Sequence, residues 1–381
     1  MYSADIHGFS EEIHTIEGYT AFPCAPIPDT DIYEYHAVSV PLGRDAIADT
    51  TSFSPNSSFL IIACQDNTSV TITATQAIID PNHPNRQVPA GDRVTFVLNQ
   101  TQTLYTSSPY DLSGSHITSN LPITLISGHE CGNVPRNISQ CDHMMEQIPP
   151  TLNWGKRFLL GPTAGRIADD IVKVVSGEAN VAINVSCTAS TPDATPSTTF
   201  DQYQITEKGG MVNFTKSYTH GYCYMVSSQP VLVVKFAVGV DGDRQTNPKG
   251  DPFMVLIPAV EQYLNQMVFA TAQQFQYSSL SLTHYLNIFV PENVDTFNSS
   301  HVLLDGEAPT TEWVAVPCNT QTLGAEEICG YSTQVSLSGP QVAHRLAHSR
   351  LGGRVSGVVY GFAYRESYAY VAGFNLSGSS N

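Results

Sequence analysis

Apolar and polar positions alternate with a period of two along much of this chain, the mark of half-buried β-strands whose successive side chains leave opposite faces. Val70-Thr71-Ile72-Thr73-Ala74 and Val181-Ala182-Ile183-Asn184-Val185 show it most clearly. They close two longer pairs of apolar runs, Phe59–Ala74 and Asp170–Ser186, and His284–Asp305 follows the same order more loosely. Asp66-Asn67 and Gly177-Glu178 read as the hairpin turns inside the first two. Upstream of each pair stands a proline in a similar apolar setting, Pro41, Pro149 and Pro258, spaced 108 and 109 residues apart.

The later parts of these units also correspond. Pro89-Ala90-Gly91-Asp92 precedes Val94–Leu98 as Gly209-Gly210 precedes Met211–Phe214, and the closing apolar runs are Leu121–Gly128, Gln229–Gly239 and Val355–Leu376. The pattern predicts an all-β chain of three antiparallel, sandwich-like repeats of about 110 residues, able to close into one pseudo-threefold assembly. The expected boundaries are an N-terminal extension over 1–31 and repeats over 32–143, 144–251 and 252–381. Helical periodicity is confined to Val342–His348, expected to form two turns, and the prolines of Thr191–Thr199 predict a loop.

Composition narrows the function. Charged residues make up 13% of the chain and sum to −17, with only 17 Lys and Arg and no basic cluster. A surface that tracks phosphates needs a basic stripe, so nucleic acid is excluded as a partner and anionic membranes are disfavoured. No run of 18 apolar residues occurs, so no membrane insertion is expected. The N-terminal MYSADIHGFSEEIHTIEG is acidic and lacks an apolar core, so it is no signal peptide; the expectation is a piece of a longer secreted chain without its leader.

Secretion is argued from two counts. Asn-x-Ser/Thr sequons stand at Asn56, Asn67, Asn99, Asn137, Asn184, Asn213, Asn298 and Asn375, and the cysteines number eight, with no Cys-x-x-Cys. The two short spacings predict Cys131–Cys141 and Cys318–Cys329 disulfides. Cys187 and Cys223 share one repeat and are expected to pair, which leaves Cys24–Cys64 to tie the extension to the first repeat.

Candidate chemistry is sparse. A Cys₂His₂ zinc site can be drawn from His129, Cys131, Cys141 and His143, but oxidised cysteines offer no thiolate. Asp241, Asp243 and Asp251 form weak calcium candidates in an oxygen-rich loop that lacks EF-hand spacing, with Arg244 and Lys249 diluting its charge. His344 and His348 would share one helical face without a third ligand. No nucleophile elbow, His-Glu-x-x-His or phosphate-binding glycine loop is present, so no catalytic residue and no resident cofactor is assigned.

The run GHECGNVPRNISQCDHMMEQIPPTLNWGKRFLL resembles the signature of the IgGFc-binding protein N-terminal domain family. The residues that carry it are Gly128-His129, Cys131, Cys141-Asp142-His143, Glu146-Gln147, Pro149-Pro150 and Trp154-Gly155, supported by Gly250-Asp251-Pro252, Pro258 and Gly361-Phe362-Ala363. The resemblance implies a secreted, non-enzymatic β domain of a mucus- or matrix-type protein, set beside other modules of a longer chain. Gly250-Asp251-Pro252 is followed by Phe253 rather than His, so the cleavage chemistry of neighbouring modules in such proteins is not carried over.

The expected function is adhesion or recognition of an extracellular protein or glycoprotein. Asp142, His143 and Asp243 are the candidate contact residues, because equivalent loops of a repeat share one rim. The alternative is a carbohydrate-binding domain that uses calcium or an aromatic groove, for which Tyr360, Tyr364, Tyr368 and Tyr370 are the conceivable stacking face.

Overall fold

The computed structural model describes residues 4–10, 15–27, 30–40, 55–135, 141–166, 168–189, 197–215, 221–239, 242, 250–272, 282–318, 327–339, 341–363 and 366–376. The chain is all-β, with antiparallel pairing throughout the described ladders and no α-helix among the described residues. No helix of the structure is long and apolar enough to cross a membrane.

An N-terminal hairpin, β1 (Ala4–Ser10) and β2 (Thr15–Ala21), precedes the first layered unit. That unit comprises β3 (Tyr33–His36), β4 (Ser57–Ala63), β5 (Thr68–Thr73), β6 (Ile78–Asp80), β7 (His83–Val88), β8 (Arg93–Leu98), β9 (Thr103–Ser108), β10 (His116–Ser119), β11 (Ile123–Gly132) and β12 (Asp142–Ile148). One sheet runs β3-β10-β5-β8 and its partner β12-β11-β4-β9, with β6-β7 a separate ribbon. The alternation read from Val70 and Ile72 is realised in β5, which turns both into the core and leaves Ser69, Thr71 and Thr73 half-buried.

The middle sheet holds β13 (Gly155–Leu160), β14 (Ile171–Ser176), β15 (Val181–Ala189), β16 (Ser197–Ile205), β17 (Met211–Thr215), β18 (Gly221–Ala237) and β19 (Phe253–Ile257). Its long strand β18 pairs with β13, β14, β15 and β19 along different stretches. The third unit stacks β20 (Gln266–Ala270), β25 (Ala343–His348) and β22 (Val302–Leu304) against a sheet ordered β23 (Val314–Pro317), β24 (Ile328–Leu337), β21 (Thr283–Val290), β26 (Ser356–Ala363) and β27 (Glu366–Val371).

Three apolar cores result, and the middle sheet belongs to two of them. Val172, Val174 and Val233 face one core together with Phe289 and Tyr360, whereas Val175, Leu232, Val234 and Phe236 face the core of the first unit. Strands covered on both faces read as continuous apolar runs rather than as alternation. The third core gathers Met267, Phe269, Leu286, Ile288, Tyr368 and Tyr370.

Several local expectations are corrected. The turns at Asp66-Asn67 and Gly177-Glu178 exist, with Asn67 at φ +58°, but they do not make hairpins. β4 pairs with β9 and β11, while β5 pairs with β8 and β10 in the facing sheet. β14 and β15 likewise share no ladder. Turn chemistry specifies a reversal of the chain; it does not specify whether the next strand stays in the sheet or crosses the core. Val342–His348 is not helical: Ala343–His348 forms β25, bonded on both sides, with Ala343 and Arg345 outward and His344 and Leu346 inward. Ladder partners on two flanks outweigh the weak helical preference of a seven-residue stretch.

The proline strands close sheets. β12 bonds to β11 and β19 to β18, so each completes the sheet of the strand before it; β12 straddles position 143 and β19 lies beyond position 251. β12 packs on β19, β19 on β27, β27 on β2 and β2 on β12, a cyclic order that includes the N-terminal strand. The seams carry single side-chain bridges. Glu146 accepts from the Leu256 amide at 3.1 Å, Ser367 donates to the Asp251 carbonyl at 2.7 Å, and the Thr20 hydroxyl donates to Val371 O at 2.7 Å.

Candidate functional site: the junction at the β11–β12 hairpin

β11 and β12 run in register from Leu125↔Ile148 to His129↔Met144, then shift through a bulge that sets Gly132 opposite Asp142. Gly128 is required by contact: a Cβ there would collide with the carbonyl of Met144. Cys131 and Cys141 are bonded to each other across the bulge, so neither presents a thiolate, and no cluster of three His, Cys, Asp or Glu suited to a metal occurs among the described residues. The other disulfides join Cys24 to Cys64, Cys187 to Cys223 and Cys318 to Cys329.

The signature residues build the junction from inside. His129 is fully buried, and its Nδ1 accepts from the Cys131 amide at 3.1 Å. Burial pulls its pKa down to about 4, so the ring is neutral near pH 7. Glu146 is fully buried with one oxygen that meets no hydrogen-bond partner among the described residues, and desolvation raises its pKa well above the carboxylate range. Trp154 donates from Nε1 to Pro149 O at 3.0 Å and packs near His36 in the first core. These positions serve the fold.

What faces solvent here is different. Glu130 accepts from the Asn56 amide at 2.8 Å and from the Tyr105 hydroxyl, and its own carbonyl contacts His143 Nδ1 at 3.3 Å. Tyr105 is 45% exposed, and Glu130 and His143 are half-buried. Asp142 is only 6% exposed and accepts from the His143 amide at 2.8 Å, so it orients His143 rather than facing outward. Tyr105 was not legible from sequence, since it lies 25 residues from Glu130 on the edge strand β9.

The described ends of the segments that follow β11 and β18 lie side by side. The Gly239 amide donates to Val134 O at 2.8 Å, and Gly250, at φ +87°, donates to Ala363 O at 2.6 Å. Asp241 and Asp243 lie outside the described residues, as does Asn137. Asp251 is buried beside Ser367, with the Arg166 guanidinium stacked on Phe362 at 4.8 Å near Gly250. The cavity among Asp142, His143, Phe253 and Tyr368 measures about 20 Å³, too small for a ligand. Tyr360, Tyr368 and Tyr370 are buried core residues, and Tyr364 lies outside the described residues, so the conceivable sugar-stacking face is not formed by these three.

Of the described sequons, Asn67, Asn99, Asn213 and Asn298 are exposed, and Asn56, Asn184 and Asn375 are half-buried. His344 and His348 do not converge: the first contacts Asp305 at 2.8 Å and the second Glu292 at 3.6 Å.

Comparison with known proteins gives a family. The family model described as IgGFc binding protein matches residues 31–361. The human IgGFc-binding protein is 26% identical over 210 residues, covering 54% of this chain and 3% of the human protein, so the chain spans a small fraction of that relative. A match through the first unit, the middle sheet and most of the third, on a chain whose signature residues build one junction, shows that the chain belongs to the IgGFc-binding protein family.

Proposed function

We propose that the chain is an extracellular, glycosylated, non-enzymatic recognition domain of a larger mucus- or matrix-type protein, which binds protein or glycoprotein partners. The observation that carries this reading is the family match over 31–361, since the family is one of binding proteins rather than enzymes. Four disulfides within 381 residues support an oxidising compartment. Exposed sequons at Asn67, Asn99, Asn213 and Asn298 support glycosylation there.

The contact surface is assigned to the outer flank of the β11–β12 junction: His143, with Glu130 and Tyr105 beside it and Asp142 behind it; Asp243, outside the described residues, is included on its sequence alone. The relative is named for binding the Fc part of immunoglobulin G. Fc is therefore the first partner to test, followed by purified mucus glycoproteins. Surface plasmon resonance on the secreted domain should give saturable binding that falls at least about tenfold in His143→Ala and Tyr105→Ala, with unchanged melting temperature. Binding that survives both substitutions moves the contact surface elsewhere. Silence toward all these probes, with and without calcium, removes the recognition reading.

A further inference from the structure

The outward edge of β20 is partly capped and partly open. Along this strand the odd residues bond toward β25: Asn265 O accepts from the His348 amide at 2.8 Å, and the Thr271 amide donates to Val342 O at 2.8 Å. The even residues turn the other way. At Ala272 the amide meets the Tyr368 hydroxyl at 3.3 Å, and at Ala270 it meets the Tyr370 hydroxyl at 3.1 Å. Tyr370 also donates to Ala270 O, so its hydroxyl completes the rung that a neighbouring strand would supply. At Val268 and Gln266 the row continues without a cap: among the described residues nothing pairs with their N–H or C=O groups.

This open stretch borders a groove of about 580 Å³, lined by Leu264, Gln266, Val268, Arg345, Ala372 and Gly373. The volume suits a short peptide segment. Val268 is 68% exposed, an apolar side chain at the lip of an unpaired strand. Arg345, opposite Val268 in the ladder, lays its guanidinium against Gln266 Oε1 and keeps further donors for the groove. The nearby Asp305 is occupied by His344 and by the Arg345 amide, at 2.8 Å each. In a chain with only 17 Lys and Arg and net charge −17, a guanidinium at an open strand edge is a specific charge signal.

We propose that this edge is a docking slot in which an extended peptide segment of a partner adds a strand beside β20 and sets an acidic side chain on Arg345. The slot is a second surface, distinct from the β11–β12 flank, and the proposal rests on the recognition reading. The open N–H and C=O groups of Gln266 and Val268 supply main-chain bonds that ignore sequence, and Arg345 supplies the preference for Asp or Glu.

The test uses the acetylated, amidated hexapeptide Thr-Val-Thr-Val-Glu-Thr and its counterpart with Lys for Glu, followed by fluorescence anisotropy on the full chain. Val268→Pro deletes one outward N–H and leaves the β25 ladder intact, since proline is tolerated on the open side of an edge strand. Saturable binding of the Glu peptide, weakened at least about tenfold by Val268→Pro and by Arg345→Glu, supports the slot. Arg345→Glu should also gain affinity for the Lys peptide, and this readout stands if the proline variant fails to fold. Equal affinity of both peptides, or no saturable binding of the Glu peptide to wild type below about 1 mM, overturns it. A chain that binds a protein or glycoprotein partner unchanged after both substitutions loses the slot and keeps the recognition reading.

Discussion

The side-chain amide of Gln147 makes both backbone hydrogen bonds of Phe22, accepting from its N–H at 3.0 Å and donating to its carbonyl at 2.9 Å. A signature residue of β12 thus holds the N-terminal strand without any ladder between them. Gln147→Ala should destabilise the chain by about 2 kcal/mol, because two buried backbone groups lose their partner. Hydrogen exchange should accelerate at Phe22 and Thr20 more than in the β14–β18 ladder. Uniform acceleration across the chain would mean that the N-terminal strand is not a separate unit of stability.

Lys173 presents a similar case between units. Its buried ammonium donates to Asp111 at 2.7 Å, to the Ser113 hydroxyl at 2.8 Å and to the Ser39 carbonyl, joining the middle sheet to the first unit. Burial lowers its pKa, which the Asp111 carboxylate opposes. Lys173→Met should cost about 3–5 kcal/mol, because it leaves Asp111 uncompensated. Lys173→Met combined with Asp111→Asn should recover part of the loss in chemical denaturation. Strict additivity of the two single changes would show that the pair is not coupled.

Acid should weaken the fold through two buried histidines. His36 and His129 are both held neutral by burial, with pKa values near 4 against an ordinary 6.5. His116 stacks on His36, and Glu34 and Lys208 lie beyond it. A depressed histidine means that the unfolded chain binds more protons, so the stability present above pH 6.5 is lost as pH falls through 4. Each contributes on the order of a few kcal/mol across that window. His36→Asn and His129→Asn should flatten the melting temperature between pH 6.5 and 4, and a slope unchanged in both variants would assign acid sensitivity to other groups.

Glu146 acts in the opposite sense. Its carboxyl is raised, so its contribution is complete below the unfolded carboxylate range and is lost as pH rises through the folded value. Glu146→Gln keeps an acceptor for the Leu256 amide and carries no charge. The substitution should raise the melting temperature at pH 8 and leave it nearly unchanged at pH 4. An equal shift at both pH values would show that charge is not the cause.

Class was easier to read from the sequence than connection. Val70 and Ile72 announced a half-buried strand because the alternation is local, and Cys131 with Cys141 announced a clip because their spacing is short. The sheet each strand joins was not legible: β4 and β5 are separated by one turn, yet they belong to facing sheets. Val342–His348 misled because His344 and His348 fit a helical face and also fit one side of a strand. The exposed flank of the junction was hidden for another reason. The motif that identifies the family is dominated by residues that hold the fold, and Tyr105 reaches Glu130 only through tertiary contact.

The four disulfides each close a segment of 40 residues or fewer: 40, 10, 36 and 11 residues separate the paired cysteines. Only Cys24–Cys64 crosses a seam of the ring of β2, β12, β19 and β27, tying the segment after β2 to the end of β4 in the β12 sheet; the other three seams carry the bridges of Glu146, Ser367 and Thr20 without a disulfide. Under mechanical load, such a body would yield first along those three seams, while each clip limits how far its own part can unravel. Once the load is removed, the parts can re-dock without any covalent bond having been broken.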